Sequence, residues 1–198
     1  VAECEHSYTS PCLWRDGKQA RLITHGNDYA VGHRLTDGKE MWRVGELNPK
    51  AHYNRTLRFV SSPVATPGLI VIPSAKGRGV VGLKPSATGL ILPGNKGEQW
   101  RLTRGTPDVV SPLIYGKEVY LNRENGSIIC LDAATGDVLD FVQGGTPGVD
   151  DTALDIQVAG PRVVAVGSTG NDAFVKVWGA KMLNPLWERH VDLAGGFD

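Results

Sequence analysis

Val119-Tyr120-Leu121-Asn122, then Asn125-Gly126, then Ile128-Ile129-Cys130-Leu131, running on through Asp132-Ala133-Ala134-Thr135-Gly136-Asp137-Val138-Leu139-Asp140, is the stretch that decides the fold. Two short apolar, β-branched runs flank an Asn-Gly pair, which favours the positive-φ turn of a tight hairpin. Thr135-Gly136 supplies a second turn, and Val138 onward reads as a closing strand. Similar runs stand at 12–14, 20–24, 29–33, 69–72, 80–83, 113–115, 156–159, 163–166 and 173–178, with further turn signals at Asp16-Gly17 and Asp37-Gly38. No apolar stripe at i, i+3, i+4 spacing is sustained for a helix, because Gly or Pro breaks most windows. The expected class is all-β.

The stretch recurs. Ser10-Pro11, Ser62-Pro63 and Ser111-Pro112 each open a unit, Thr152-Ala153 holds the weaker fourth place, and the spacings are 52, 49 and 41 residues. The segment from Leu131 to Asp140 aligns with His33-Arg34-Leu35-Thr36-Asp37-Gly38-Lys39-Glu40-Met41-Trp42, which keeps the Gly and ends on Trp. Ala180-Lys181-Met182-Leu183-Asn184-Pro185-Leu186-Trp187 keeps the rhythm and the Trp. Unit two carries Leu83-Lys84-Pro85-Ser86-Ala87-Thr88-Gly89 and reaches Trp100 only after an extra stretch of about eight residues. Four units of this length, each with about four strands, are the signature of propeller blades, here approximately 8–42, 61–100, 110–140 and 151–187. A blade has two apolar faces and must stack on neighbours. Trp42, Trp100 and Trp187, together with Gly38 and Gly136, are therefore expected to serve the contact between blades.

A tail of the type Ala-x-Asp-x-x-Thr-Gly-x-x-x-Trp, after a Ser-Pro strand, resembles the PQQ-like repeat family. That family includes quinoprotein dehydrogenases and the non-catalytic propeller of the outer-membrane assembly lipoprotein. The resemblance covers essentially the whole chain. It is strongest in unit three, where Asp140 stands in place of the Trp, and weakest in unit four. It implies an extracytoplasmic, periplasmic setting. The catalytic relatives hold PQQ on the axis of eight blades, with adjacent cysteines and an acidic calcium site. This chain has four units and no adjacent cysteines, so the resemblance carries the fold and not that chemistry.

Composition narrows the rest. The chain has 198 residues with 25 Gly and 12 Pro, 41% hydrophobic residues, and 21 basic against 21 acidic side chains. Zero net charge provides no global attraction for nucleic acid, and no apolar run is long enough to span a bilayer. Cys4, Cys12 and Cys130 are too few for a disulfide framework, although Cys4 and Cys12 could bridge.

Gly77-Arg78-Gly79-Val80-Val81-Gly82 matches a dinucleotide fingerprint in form only. The motif needs a helix after it, and here a strand stopped by Pro85 follows, so a glycine hairpin is expected. Cys4-Glu5-His6 lacks a second pair of ligands at zinc spacing. Asp150, Asp151, Asp155, Asn171 and Asp172 lack the alternation of a calcium loop. His25, His33, His52 and His190 are expected in surface or inter-blade hydrogen bonds. Asn54-Arg55-Thr56 and Asn125-Gly126-Ser127 are formal glycosylation acceptors. Loops 48–60 and 101–110 break the repeat length and mix Arg with Tyr, Asn and Pro, which makes them the best binding segments.

The expected role is a non-catalytic propeller scaffold for a protein or peptide partner, with no catalytic residue, cofactor or metal. The alternatives are a fragment of a quinoprotein oxidoreductase and an engineered or recombined assembly of blades, the latter prompted by the change in repeat character after Asp140. Four blades make either a small closed propeller or a half-ring with two apolar faces. The second case leads to the expectation that two chains pair to complete eight blades.

Overall fold

In the computed structural model, residues 7–142, 151–169, 172–179 and 185–191 are described. They form four antiparallel sheets in sequence order, one per repeat. The first contains β1 (Cys12–Arg15), β2 (Ala20–His25), β3 (Ala30–Arg34) and β4 (Glu40–Val44). The second contains β5 (Val64–Thr66), β6 (Leu69–Pro73), β7 (Val80–Leu83) and β9 (Glu98–Leu102), with β8 (Gly89–Ile91) leaving it. The third runs β10 (Leu113–Tyr115), β11 (Glu118–Asn122), β12 (Ile128–Asp132) and β13 (Val138–Val142). The fourth runs β14 (Asp151–Ala159), β15 (Arg162–Thr169), β16 (Asp172–Gly179) and β17 (Pro185–Val191). Its strands have 7 to 9 residues, against 3 to 6 in the first three sheets, and the lengthening begins after Asp140, where the repeat changes character. A single 3-10 turn, Lys50–His52, is the one helical element among the described residues.

One irregularity recurs in all four blades and fixes their alignment. The pairing of the third strand with the outer strand shifts by one residue, between Gly32 and His33, Gly82 and Leu83, Cys130 and Leu131, and Val177 and Trp178. The residue paired just beyond the bulge is Trp42, Trp100, Asp140 and Trp187, in that order. A bulge sharpens local twist, and here it brings the Trp position to the same place on each outer strand.

The first strands pack in series, β1 on β5, β5 on β10 and β10 on β14. The Ser-Pro pairs form a ladder between blades. Ser10 N–H donates to Ser62 Oγ at 2.8 Å, and Ser62 N–H donates to Ser111 Oγ at 3.0 Å. Ser62 and Ser111 thus each satisfy a backbone donor of the blade before.

One sequence expectation gains detail and another is corrected. The Asn125-Gly126 hairpin forms between β11 and β12, with a loop longer than two residues. Gly126 N–H donates to Arg123 O, Arg123 N–H donates to Ser127 O, and of the pair only Gly126 is left-handed, at φ 72°. A type I′ turn would need both central residues at positive φ and a type II′ turn the first of them, Asn125, which is not. Asn125 instead accepts from the Ser127 N–H and hydroxyl, the local side-chain turn that Asn favours. The correction concerns the extra stretch in unit two. Thr88-Gly89 does not lead into that blade's own outer strand. It leads into β8, which runs parallel to β4 with Trp42 opposite Gly89 and makes the first sheet five-stranded. The insertion straps one blade to the next and covers an edge that would otherwise expose unpaired amides.

The core lies between the sheets. Ile23, Trp42, Phe59, Ile70, Ile72, Leu83 and Ile91 fill the space between blades one and two. Val71, Val80, Trp100, Val119, Leu121 and Leu131 join two to three. Tyr120, Ile128, Cys130, Val163 and Trp178 join three to four.

Candidate functional site

The hairpins β2–β3, β6–β7 and β11–β12 and the connections between blades meet at one end of the stack. There loops 48–60 and 101–110 come together on a cleft of about 300 Å³, with Glu46, His52, Asn54, Arg78, Arg101 and Thr103 as its polar lining. Buried polar groups hold the rim. Asn48, 2% exposed, donates to Asn27 Oδ1 and to Asn54 O, and accepts from Asn54 N–H. Its own N–H donates to Asp28 Oδ1. Thr106 is fully buried and donates to the carbonyls of Arg78 and Gly79, while its carbonyl accepts from Gly77 N–H. Buried polar groups that find partners make a loop rigid. The cleft is therefore preformed.

Glu46 sits at this rim with φ 62°, the only left-handed non-glycine among the described residues. That conformation costs a residue with a Cβ about 1 kcal/mol or more. The buried neighbours Leu47 and Asn48 hold it there and leave the Glu46 side chain exposed. Arg78 is also exposed. Arg101 is tied to Glu98 by two bonds of 2.8 and 3.0 Å. Beside the cleft, Lys76 bridges Glu124 at 3.2 Å and Asp108 at 3.5 Å. Glu124 above all, and then Asp108, hold its ammonium above the ordinary lysine range.

The residues of the formal dinucleotide motif form the β6–β7 hairpin and its second strand, and Gly82 lies under Trp100. His25 is an inter-blade histidine. Its Nδ1 faces Gly26 O at 2.7 Å and its Nε2 faces Pro73 O of the second blade at 2.6 Å. Its ring packs 5.1 Å from that of Phe59. Burial lowers its pKa from the ordinary 6.5, against the pull of the Pro73 and Gly26 carbonyls. The unfolded chain thus takes up a proton here before the folded one does. The associated stability is present above pH 6.5 and lost as the pH falls below it. His25→Phe is expected to flatten the decline in urea midpoint between neutral and mildly acid pH; an unchanged decline refutes this assignment.

Cys12 and Cys130 are free thiols, and Cys4 lies outside the described residues, as do Glu5 and His6. Burial pushes the Cys130 thiol up to about 11, which makes it unreactive, and raises the neighbouring Tyr120 phenol as well. Asp155 spends its carboxylate on the Ile156 N–H and the Gln157 amide. Asp150 and Asn171 lie outside the described residues. Among the described residues no group of three or more His, Cys, Asp or Glu stands together as a metal ion would need. No helix among them is long and apolar enough to cross a membrane.

The five inter-blade residues do not share one arrangement. Trp100 is clamped. Its Nε1–H donates to Ala133 O at 2.9 Å, Gln99 donates to Ala134 O at 2.7 Å, and a Cβ on Gly136 would lie 2.7 Å from the indole. Trp42 is fully buried against Gly32, yet its Nε1 has no partner among the described residues. Pro85 O, the carbonyl equivalent to that of Ala133, accepts from Arg21 Nη1 instead. Gly38 is left-handed at φ 71° with open space above it. Trp187 is placed by its backbone register alone. Sequence reasoning missed Trp14 as a contact between blades; its Nε1–H donates to Thr66 O at 2.9 Å, and the guanidinium of Arg21 lies 5.1 Å from its ring. The 52-residue offset between Ser10 and Ser62 also relates Trp14 to Thr66, so the spacing was readable but the contact was not.

No protein-family model and no curated protein sequence matches the chain. Solved structures do. A quinohemoprotein alcohol dehydrogenase, ADHIIG, from Pseudomonas putida HK5 aligns with a TM-score of 0.65 at 12% identity, over 94% of this chain and 34% of that one. A europium-containing methanol dehydrogenase aligns at 0.55 and 18% identity, over 69% of this chain and 25% of that one. BamB from Moraxella catarrhalis aligns at 0.50 and 14% identity, over 92% of this chain and 64% of that one. The chain therefore spans between a quarter and somewhat under two thirds of these neighbours. Identities this low speak to fold alone. With the shared bulge, the serine ladder and the Trp–Gly clamp, they establish that this chain folds as four β-propeller blades similar to those of these solved structures.

Proposed function

We propose that the chain is a non-catalytic binding module of extracytoplasmic type that takes an extended peptide segment of a protein partner in the cleft between loops 48–60 and 101–110. The observation carrying this reading is the convergence of the two segments that break the repeat on one preformed hollow. Repeat-breaking loops on a rigid scaffold are where propellers place recognition. The exposed Glu46 carboxylate and Arg78 guanidinium present opposite charges, while Asn54 and His52 add groups suited to a peptide backbone. The strain at Glu46 is of the kind that accompanies binding sites.

The second reading is a piece of a quinoprotein oxidoreductase, favoured by the dehydrogenases among the structural neighbours. Calorimetric titration with PQQ and calcium chloride separates the two. No saturable heat is expected, and tight stoichiometric binding would overturn the proposal. For the positive arm, peptides selected from a displayed random library on the wild-type chain are expected to lose about tenfold or more in affinity for Arg78→Glu. Equal affinity for the variant would place the peptide elsewhere and sink the cleft assignment.

A further inference from the structure

The free face of the first blade is built like a face that, one repeat pair further on, is covered. In blade three the loop before the outer strand closes by Gly136 N–H to Asp132 O and Asp132 N–H to Asp137 O, and it receives Trp100. In blade one the same loop closes by Gly38 N–H to Arg34 O and Arg34 N–H to Lys39 O. Gly38 and Gly136 have φ of 71° and 76°. Turn, register and bonding are the same, yet nothing described lies within 4 Å of a Cβ at Gly38, whereas the Gly136 position is filled by the indole.

The sheet faces behind these loops also correspond. Register places Ile114, Val119, Ile129 and Ala133 of blade three on the face that packs against blade two. Their equivalents in blade one are Leu13, Leu22, Val31 and Leu35, all apolar, while the buried Leu121 and Leu131 of that face correspond to Thr24 and His33, which lie 3.1 Å apart and hydrogen-bond to one another. Leu13 and Leu35 are 43% and 49% exposed. Beside them, lined by Arg15, Lys18, Arg34 and Leu35, is an open hollow of about 820 Å³. Ser10, at the start of the serine ladder, is exposed where Ser62 and Ser111 accept an N–H from the preceding blade.

We propose that this face docks the fourth blade of a second copy of the chain, with β17 lying over the cradle 35–38. The choice of occupant rests on β17 itself. Trp187 holds the register position of Trp100 beyond the shared bulge, and Leu186 holds that of Gln99. Gln99 is the residue that meets Ala134, the equivalent of Thr36. In β17 that place is an apolar residue 50% exposed. Blades one and four thus present the two halves of the clamp already made between blades two and three. Two copies related by a two-fold axis would make this contact twice, a closed arrangement of eight blades. The inference is independent of the peptide cleft, which lies at the loop end and not on a blade face.

Sedimentation velocity of the chain at micromolar concentration tests it. The expected particle has twice the 21.3 kDa chain mass. Leu35→Glu and Leu186→Glu replace exposed side chains, so both variants should keep the wild-type circular dichroism. Each should weaken the dimer by about 30-fold, as loss of a central apolar contact does. An equimolar mixture of the two retains one intact contact per pair and should form a mixed dimer where neither variant dimerises alone. A wild-type monomer throughout the range would leave the face to a blade of another chain and overturn the proposal. So would a dimer indifferent to both substitutions, or a mixture that behaves as its separate parts.

Discussion

Trp100→Ala is expected to destabilise the chain by about 3–5 kcal/mol, the range for deleting a buried aromatic side chain. Trp100 is only 6% exposed and belongs to the buried cluster between blades two and three. Its indole lies between Gly82 of its own blade and Gly136 of the next, so neither wall carries a side chain that could swing in and fill the space. The cost should fall near the upper end for that reason, because a cavity that cannot collapse retains its full penalty. Truncation also leaves Ala133 O without its donor. Urea midpoints followed by circular dichroism measure the loss. A loss below about 1 kcal/mol would mean that the clamp is not what joins these blades. The Phe series separates the two contributions. Trp100→Phe removes a made hydrogen bond, worth about 1 kcal/mol net, whereas the Nε1 of Trp42 makes none among the described residues. Trp42→Phe should therefore cost less than Trp100→Phe.

Gly82→Val should be more damaging still. A Cβ at this position would overlap the Trp100 indole well inside contact distance, and the branched side chain of Val would worsen it. Overpacking usually costs about 1–3 kcal/mol because neighbours give way. Here the ring cannot retreat, since Gly136 closes the other side and the bond to Ala133 O fixes its tilt. The expected outcome is a urea midpoint depressed beyond that of Trp100→Ala. The double variant Gly82→Val with Trp100→Ala should recover much of the difference, because valine then fills the cavity. That recovery is a coupling that independent sites would not show. Strict additivity would refute the collision.

Both effects depend on pairings that the sequence shows only in part. The repeat was legible because blade physics repeats. Ser-Pro openings, Thr-Gly or Asp-Gly turns and a terminal Trp recur at intervals set by four short strands, and the fold class follows from them. The candidate cleft was legible only as two segments that break the repeat. Loops 48–60 and 101–110 stood out by irregular length, but their convergence depends on how blades one and two stack. The Asn27–Asn48–Asn54 network that stiffens the rim has no sequence signature, because asparagines in loops are common and a partner is a matter of position. The strap β8 was visible as surplus length and misread as delay before Trp100. Which edge a short parallel strand covers depends on the neighbouring blade and not on its own residues.

The sequence by itself determined four β repeats, their order and the Trp position that closes three of them, since those depend on local turn chemistry and strand period. Only the tertiary structure decided which of those tryptophans is clamped. An indole is held by a neighbouring carbonyl and a bare glycine, and both belong to the next blade. Trp100 has Ala133 and Gly136, Trp42 loses its equivalent carbonyl to Arg21, and Gly38 keeps a cradle with no described occupant. Contacts across a blade seam pair residues some 30 to 50 positions apart, and it is the stacking of blades, not local pattern, that brings them together.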